Sequence, residues 1–432
     1  MSSSPLSLPN SPSEAFSIIN SMSAVLNPYP FILQIITTQQ QKLANYSLPT
    51  VVVTLGVAHL TLLLLAVITF ILKSLRKDNG KRRKIWFWRR HYLLDHEIPY
   101  LVPNGNFSIE LLQIFSCCFY ILFSATTYVV CKYPQVPSPV THASIIFWYA
   151  IAIVPDAAAF WWGGWGAFYL VFLSPTRLET VQSKRKIPFI HQPLFMNTIC
   201  LGVPVGFATY FLSVGTKMAV ELKQIIELYN LLLRTLGELS ALWKPDDPLH
   251  SENNQILFNI LEALSKKSTQ ISYLAQTETY GWAVVSVSTI AFYLGATIAA
   301  GKLLKHTLLI ATGEKVLGEK PAHQGKSSGF LNQSISTIDS KVARSEEFKP
   351  TFVQCPSTLR LKRGYYFIYI SCAIMFAVLG LNVCISIIFA LKTKMVLVET
   401  YWQIRLLTMI CCTSVLLSFS LFLQSLMLLL WG

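Results

Sequence analysis

Charge is scarce in this sequence. Only 13% of its 432 residues are Asp, Glu, Lys or Arg, whereas hydrophobic side chains make up 53%. A water-facing surface carries about twice that charge density, so most of this surface must face something other than water. The mean hydropathy of +0.49 agrees. Acidic residues are scarcer than basic ones, 21 against 35, which leaves a net charge of +14. A basic balance can signal nucleic acid. Here the lysines and arginines flank apolar stretches instead of forming a patch, and no nucleic-acid partner is expected.

Chemistry-bearing motifs are missing too. The sequence has no HExxH, CxxC, GxSxG or GxxxxGK[ST], and its eight histidines are scattered. Metal and nucleotide sites built on those spacings are therefore not expected. No cofactor, metal or catalytic residue is assigned, and the chain does not read as an enzyme. Intramembrane aspartyl proteolysis needs two carboxylates in one site, and the apolar stretches hold one. A disulfide framework is absent as well. Cys117, Cys118, Cys200, Cys372, Cys384, Cys411 and Cys412 lie inside apolar stretches, where cysteine acts as a small packing residue. The first 40 residues lack the basic n-region of a signal peptide, so the first span is expected to serve as the insertion signal.

The sequence is rich in long apolar runs. A helix needs about 20 apolar residues to cross the hydrocarbon core. Seven stretches qualify: Val51–Leu72, Leu111–Cys131, Ser144–Leu173, Leu194–Gly215, Trp282–Gly301, Tyr365–Leu391 and Leu406–Trp431. The third is long for one crossing, and a kink at Pro155 would accommodate it. The loops after spans one, three and five hold 24 of the 35 lysines and arginines, which places them in the cytosol. The expected fold is all-α: a polytopic membrane protein of seven transmembrane helices, N-terminus out and C-terminus in. Residues 1–50 form an extracytosolic segment and 51–432 the membrane domain, in a plasma membrane or an endomembrane.

Two loops carry readable patterns. Met218, Leu222, Ile225, Tyr229, Leu232, Leu236, Leu239 and Trp243 recur in alternating steps of four and three, a heptad seam. Lys244-Pro245-Asp246-Asp247-Pro248 then breaks the helix. Leu257, Leu261, Leu264 and Ile271 share a face of the stretch that follows. An antiparallel helical hairpin over 216–280 is expected, coiled-coil-like, prolonging spans four and five by roughly 40 Å and offering a surface for a protein partner. In the first cytosolic loop Arg82, Arg83, Lys84, Trp86, Trp88, Arg89 and Arg90 interleave cations and aromatic rings. Such a stretch suits the headgroup zone and anionic lipid, besides fixing topology. The loop 302–364 is basic, rich in Ser and Gly, and expected to be flexible.

Asp156 is the charged side chain within the apolar stretches. A carboxylate in the bilayer costs about 2.5–3.5 kcal/mol on insertion scales and usually faces protein or water. At 100° per residue, Tyr149, Ala152, Ile153, Ala159, Phe160, Gly163 and Ala167 share its face. The small residues among them mark a helix contact, so Asp156 should face the bundle and Trp161, Trp162 and Trp165 the lipid or the interface. Gly202 and Gly206 have GxxxG spacing and read as a second close contact. Other spans supply His59 and Asn382, with Asn197, Thr198, Tyr210 and Tyr293 as further polar groups. The candidate ligand site is Asp156, Tyr149, Phe160, His59 and Asn382.

Seven spans with an outer N-terminus match the layout of G-protein-coupled-type receptors, and a receptor-like signal transducer with an unknown ligand is the expected function. A scaffold binding a partner through the hairpin, or a small-solute or ion transporter using the intramembrane carboxylate, are the alternatives. Pro155 and Leu201-Gly202-Val203-Pro204 resemble fungal pheromone receptors over a short stretch. The long first loop and the long outer hairpin depart from that family, and no membership is read from the likeness.

The topology is testable by labelling with a membrane-impermeant thiol reagent in intact cells. A cysteine at Pro245 should be modified and one at Ser328 spared. The opposite pattern would place the connection between spans four and five in the cytosol, against the Lys/Arg count.

Overall fold

The computed structural model describes residues 27–36, 48–75, 77–78, 81–82, 87–92, 97–133, 138–172, 192–245, 250–311 and 356–431. A short helix α1 spans 29–36. It is followed by α2 (Leu48–Leu75), β1 (Lys77–Asp78), β2 (Lys81–Arg82), β3 (Trp88–His91), β4 (Tyr100–Pro103), α3 (Gly105–Lys132), α4 (Pro139–Ala152), α5 (Val154–Phe172), α6 (Pro193–Leu242), α7 (His250–Ala311), α8 (Pro356–Val398) and α9 (Thr400–Trp431). Seven segments are long and apolar enough to cross a membrane: Pro49–Leu75, Phe107–Lys132, Pro139–Tyr169, Pro193–Leu242, Glu252–Leu309, Lys362–Thr393 and Ile404–Leu429.

Burial along these helices is the inverse of a soluble protein's. On α2 the residues Val52, Leu55, His59, Leu62, Ala66, Thr69 and Lys73 are buried, in steps of three and four, while Val57, Leu60, Leu64 and Ile68 are exposed. On α3 the buried stripe includes Glu110, Gln113, Cys117, Tyr120, Ser124 and Thr127, and on α9 it includes Ser414, Ser418, Leu421 and Ser425. The polar groups are concentrated on the inward stripes, and the outward faces are almost wholly apolar. Only a lipid surrounding makes that arrangement favourable, and the chain is a multi-pass membrane protein.

Each span packs on the next, and α9 returns against α2, which closes the ring; α9 also contacts α3 and α5. The third span is broken. Pro155 has no N–H to offer the carbonyl of Ile151, and α4 ends at Ala152 with Ile153 as its C-cap before α5 begins at Val154. Ser138 caps α4 by accepting from the Thr141 N–H at 3.3 Å, with Pro139 in the first turn. Inside the ring, Phe160, Tyr293, Met375, Leu379, Leu417 and Leu421 form the largest apolar core. Ala152 and Ala159, on the strip of small residues, are fully buried.

Two expectations about packing are corrected. Trp161 and Trp165 do not face lipid: both are buried, and Trp161 stacks on Phe292 with ring centroids 4.3 Å apart. Their bulk fills the space beside the small residues of α5. Gly202 and Gly206 are not a close contact either. Both are exposed, and a Cβ on Gly206 would meet nothing within 4 Å. The tight approaches are elsewhere. A Cβ on Gly215 would sit 2.6 Å from that of Ala150, and one on Gly281 would sit 2.5 Å from the Tyr210 ring. At Gly215 only glycine admits the neighbouring helix, whereas a side chain at Gly281 would have to displace the Tyr210 ring.

Helices α6 and α7 run antiparallel well past the ring. Phe211 stacks on Trp282 at 3.7 Å, Glu221 pairs with Lys267 at 2.8 Å, and Leu232 and Leu236 meet Leu257 and Ile260. None of the eight seam residues from Met218 to Trp243 is exposed. Helix α1 lies across the far ends: Tyr29 joins this apolar cluster and donates its hydroxyl to Asn254 Oδ1 at 2.8 Å. The Asp246–Leu249 connection and residues 312–355 of the basic loop lie outside the described residues.

Leu236 is fully buried where α1, α6 and α7 meet. Leu236→Ala should cost about 2–5 kcal/mol locally. Limited proteolysis between Leu242 and His250 should accelerate at least about tenfold, by the 1.4 kcal/mol per decade relation, while the membrane ring keeps its melting temperature. An unchanged cleavage rate would contradict the packing described.

Candidate functional site

Asp156 opens α5 one residue after Pro155, so the kink and the carboxylate are set by the same turn. Its side chain is 0% exposed. Ser116 of α3 and Ser418 of α9 flank it. The Ser116 hydroxyl donates to the carbonyl of Ala152 at 3.1 Å. That contact ties α3 to the broken turn. The Ser116 and Ser418 hydroxyls interact with the Asp156 carboxylate, but neither carboxylate oxygen has a well-formed hydrogen bond among the described residues.

A cavity of about 10 Å³ adjoins this carboxylate, lined also by Phe160, Ser286, Thr289 and Asn382. Asn382 donates to Ser286 Oγ at 2.8 Å. A second cavity, of about 30 Å³, begins on the other side of Asn382 and reaches Tyr120, Tyr149, Thr279 and Ser414. Four of the five candidate residues, Asp156, Phe160, Asn382 and Tyr149, thus line two adjoining cavities. His59 stands behind them. Its ring packs on Tyr120 at 4.4 Å, and Nδ1 lies 3.0 Å from the Leu55 carbonyl.

Three charged groups that the apolar stretches did not include are buried in the same bundle. Lys73 of α2 pairs with Glu110 of α3, and Ser425 of α9 donates to the same carboxylate. Lys73 also reaches Ser425 Oγ at 3.1 Å. Glu110 is 0% and Lys73 5% exposed. One turn along α3, Gln113 donates to the Ser418 carbonyl at 2.9 Å. On the other side of the cavities Glu278 of α7 is 1% exposed, with Tyr149 and Trp282 beside it.

These groups form a column. Ser425 is two turns from Ser418 on α9, and Glu278 is three turns from Thr289 on α7. At 1.5 Å per residue the column from Glu110 past Asp156 to Glu278 is roughly 25 Å long, close to the ~30 Å of a hydrocarbon core. Its unpartnered atoms, among the described residues, are nearly all oxygens able to accept. They are Glu110 Oε2, Gln113 Oε1, Ser418 Oγ, both Asp156 oxygens, Thr289 Oγ1 and Glu278 Oε1. Buried polar atoms without partners are rare and demand an explanation. The three carboxylates among these groups suit a cation or a proton better than an anion. No group of three or more His, Cys, Asp or Glu among the described residues has the arrangement of a metal site.

The remaining sequence candidates have structural work. Asn197 acts as an extra strand partner: it accepts from the Leu101 N–H and donates to the Pro99 carbonyl, both at 2.8 Å. This fastens β4 to α6. Trp88 of β3 packs edge-to-face on Trp162 at 4.9 Å, near buried Tyr100, whose phenol burial pushes above its ordinary pKa. Arg89 and Arg90 are exposed on β3. Arg83, Lys84, Trp86 and the side chain of Arg82 lie outside the described residues.

Compared with protein families, curated proteins and solved structures, the chain matches none. A buried carboxylate with no ion-pair partner and no well-formed hydrogen bond is a burden on folding that an apolar residue of similar size removes. Asp156→Leu should therefore leave thermal stability in detergent unchanged or raise it, by up to about 1–3 kcal/mol. A loss of stability of that size would show that Asp156 holds the helices together.

Proposed function

We propose that this protein carries protons or small cations across the membrane along the buried polar column, with Asp156 as the central site. The observation that carries the reading is the column of unpartnered acceptor oxygens, with three carboxylates spaced over the thickness of a bilayer. Ionisable groups inside a membrane bundle mark ion and proton pathways. The cavities beside Asp156 measure about 10 Å³ and about 30 Å³. That is space for about one water molecule each, against the several hundred Å³ of an organic-ligand site. The receptor expectation rests on the seven-helix layout alone, which specifies no function. The transport alternative is the one the side chains favour.

In this reading Tyr149, Asn382 and Phe160 border the path and His59 supports Tyr120. The Lys/Arg distribution sets the orientation: the N-terminus and the far ends of α6 and α7 outside, the C-terminus inside. The α6–α7 extension stands clear of the bilayer as a hairpin. Arg89 and Arg90 then meet the inner headgroup layer, where anionic lipid favours them by about 1 kcal/mol per charge.

Reconstituted into liposomes with an internal pH dye, the protein should pass protons down an imposed gradient faster than protein-free vesicles. Asp156→Asn, which keeps the shape and loses the titratable group, should cut that flux at least tenfold. A flux in Asp156→Asn equal to that of the unmodified protein would remove the carboxylate from the path and overturn the proposal.

A further inference from the structure

The Lys73–Glu110–Ser425 cluster is more than a helix contact. All three side chains lie on the inward stripes of α2, α3 and α9, in phase with His59, Gln113 and Ser418. The cluster sits about 10 Å from Asp156 along the bundle, two turns of α9 away. Anything moving along the column toward the ends of α2 and α9 must pass it. Glu110 is the carboxylate at that level. Lys73 and Ser425 both engage its Oε1, while Oε2 is unpartnered among the described residues.

A dehydrated Na⁺ or K⁺ needs several oxygens at once. At this level they would be Glu110, Ser425 and the Gln113 carboxamide. Lys73 places a fixed ammonium among them, which occupies the carboxylate and repels a second cation at close range. A proton needs only one acceptor and no vacant coordination shell, and Glu110 Oε2 is such an acceptor.

Resting on the transport reading, we infer that Lys73 is a selectivity-determining residue: its ammonium on Glu110 admits protons to the column and excludes Na⁺ and K⁺. Lysine at the end of a membrane helix ordinarily extends toward the headgroups. Turning it inward against a buried glutamate has a desolvation cost, and exclusion of competing cations gives that cost a function.

The test uses the full chain in liposomes, with dyes for H⁺, Na⁺ and K⁺ in parallel. The unmodified protein should pass H⁺ and hold back Na⁺ and K⁺. Lys73→Met should raise Na⁺ or K⁺ flux at least tenfold. Lys73→Gln, which keeps a hydrogen-bond donor to Glu110 and so tolerates folding better, should do the same. Lys73→Arg should remain proton-selective. Proton flux with Na⁺ and K⁺ still excluded in folded, monodisperse Lys73→Gln overturns the inference and leaves the transport reading standing. So does a Na⁺ or K⁺ flux through the unmodified protein as large as through Lys73→Gln. No flux of H⁺, Na⁺ or K⁺ through the unmodified protein overturns the transport reading itself.

Discussion

An ammonium and a carboxylate cannot each remain alone in a hydrocarbon layer, and the pairing of Lys73 with Glu110 resolves that constraint for two helices at once. The pair joins α2 to α3, and Ser425 brings in α9. Those are the helices that close the ring between the first and last spans. The same rule governs the rest of the bundle. Surrounded by hydrocarbon, Gln113, Ser116 and Asn382 reach for carbonyls and hydroxyls of neighbouring spans. Lipid supplies no hydrophobic force between helices, so these contacts and close packing at Gly215 and Gly281 hold the spans together.

Against that background the unpaired groups stand out. Glu110 has an ion-pair partner for one oxygen, whereas Asp156 has no ion-pair partner and no well-formed hydrogen bond among the described residues. The protein satisfies most inward polar atoms and leaves a graded set of acceptors along one line. A structure selected only for stability would replace Asp156 with leucine. Retaining it is the kind of local inconsistency that functional sites show. The line also has unlike ends. Glu110 carries its own cation, while Glu278 is bordered by the Tyr149 and Trp282 rings. Under the proposed transport role these unlike ends would serve as dissimilar gates, which suits directional movement of a small ion.

Much of this was legible in the sequence. The apolar runs gave the number of spans, Pro155 the break in the third, and the periodicity around Asp156 the face it presents. The charged pair was not, for a physical reason. Lys73 and Glu110 each lie one residue beyond an apolar run, where a charge ordinarily marks the headgroup boundary. Their phase held the missing signal: Lys73 continues the steps of three and four through His59, Ala66 and Thr69, and Glu110 shares the stripe of Gln113 and Cys117. Glu278 was hidden similarly, inside a long polar-looking helix just ahead of Trp282. Trp161 and Trp165 were misplaced because a cluster of tryptophans suits either an interface or a core, and only the position of Phe292 decides. The GxxxG spacing of Gly202 and Gly206 misled because spacing carries no information about which face has a neighbour.

The most direct test is a double-mutant cycle on the charged pair, read as thermal stability in detergent. Lys73→Met and Glu110→Gln should each cost about 3–5 kcal/mol, since each strands a buried partner. The double variant should recover most of that loss, giving a coupling well above the ~0.5 kcal/mol seen between independent sites. Losses that simply add would mean that the two side chains do not meet inside the bundle, and the column would lose the ion pair at that end.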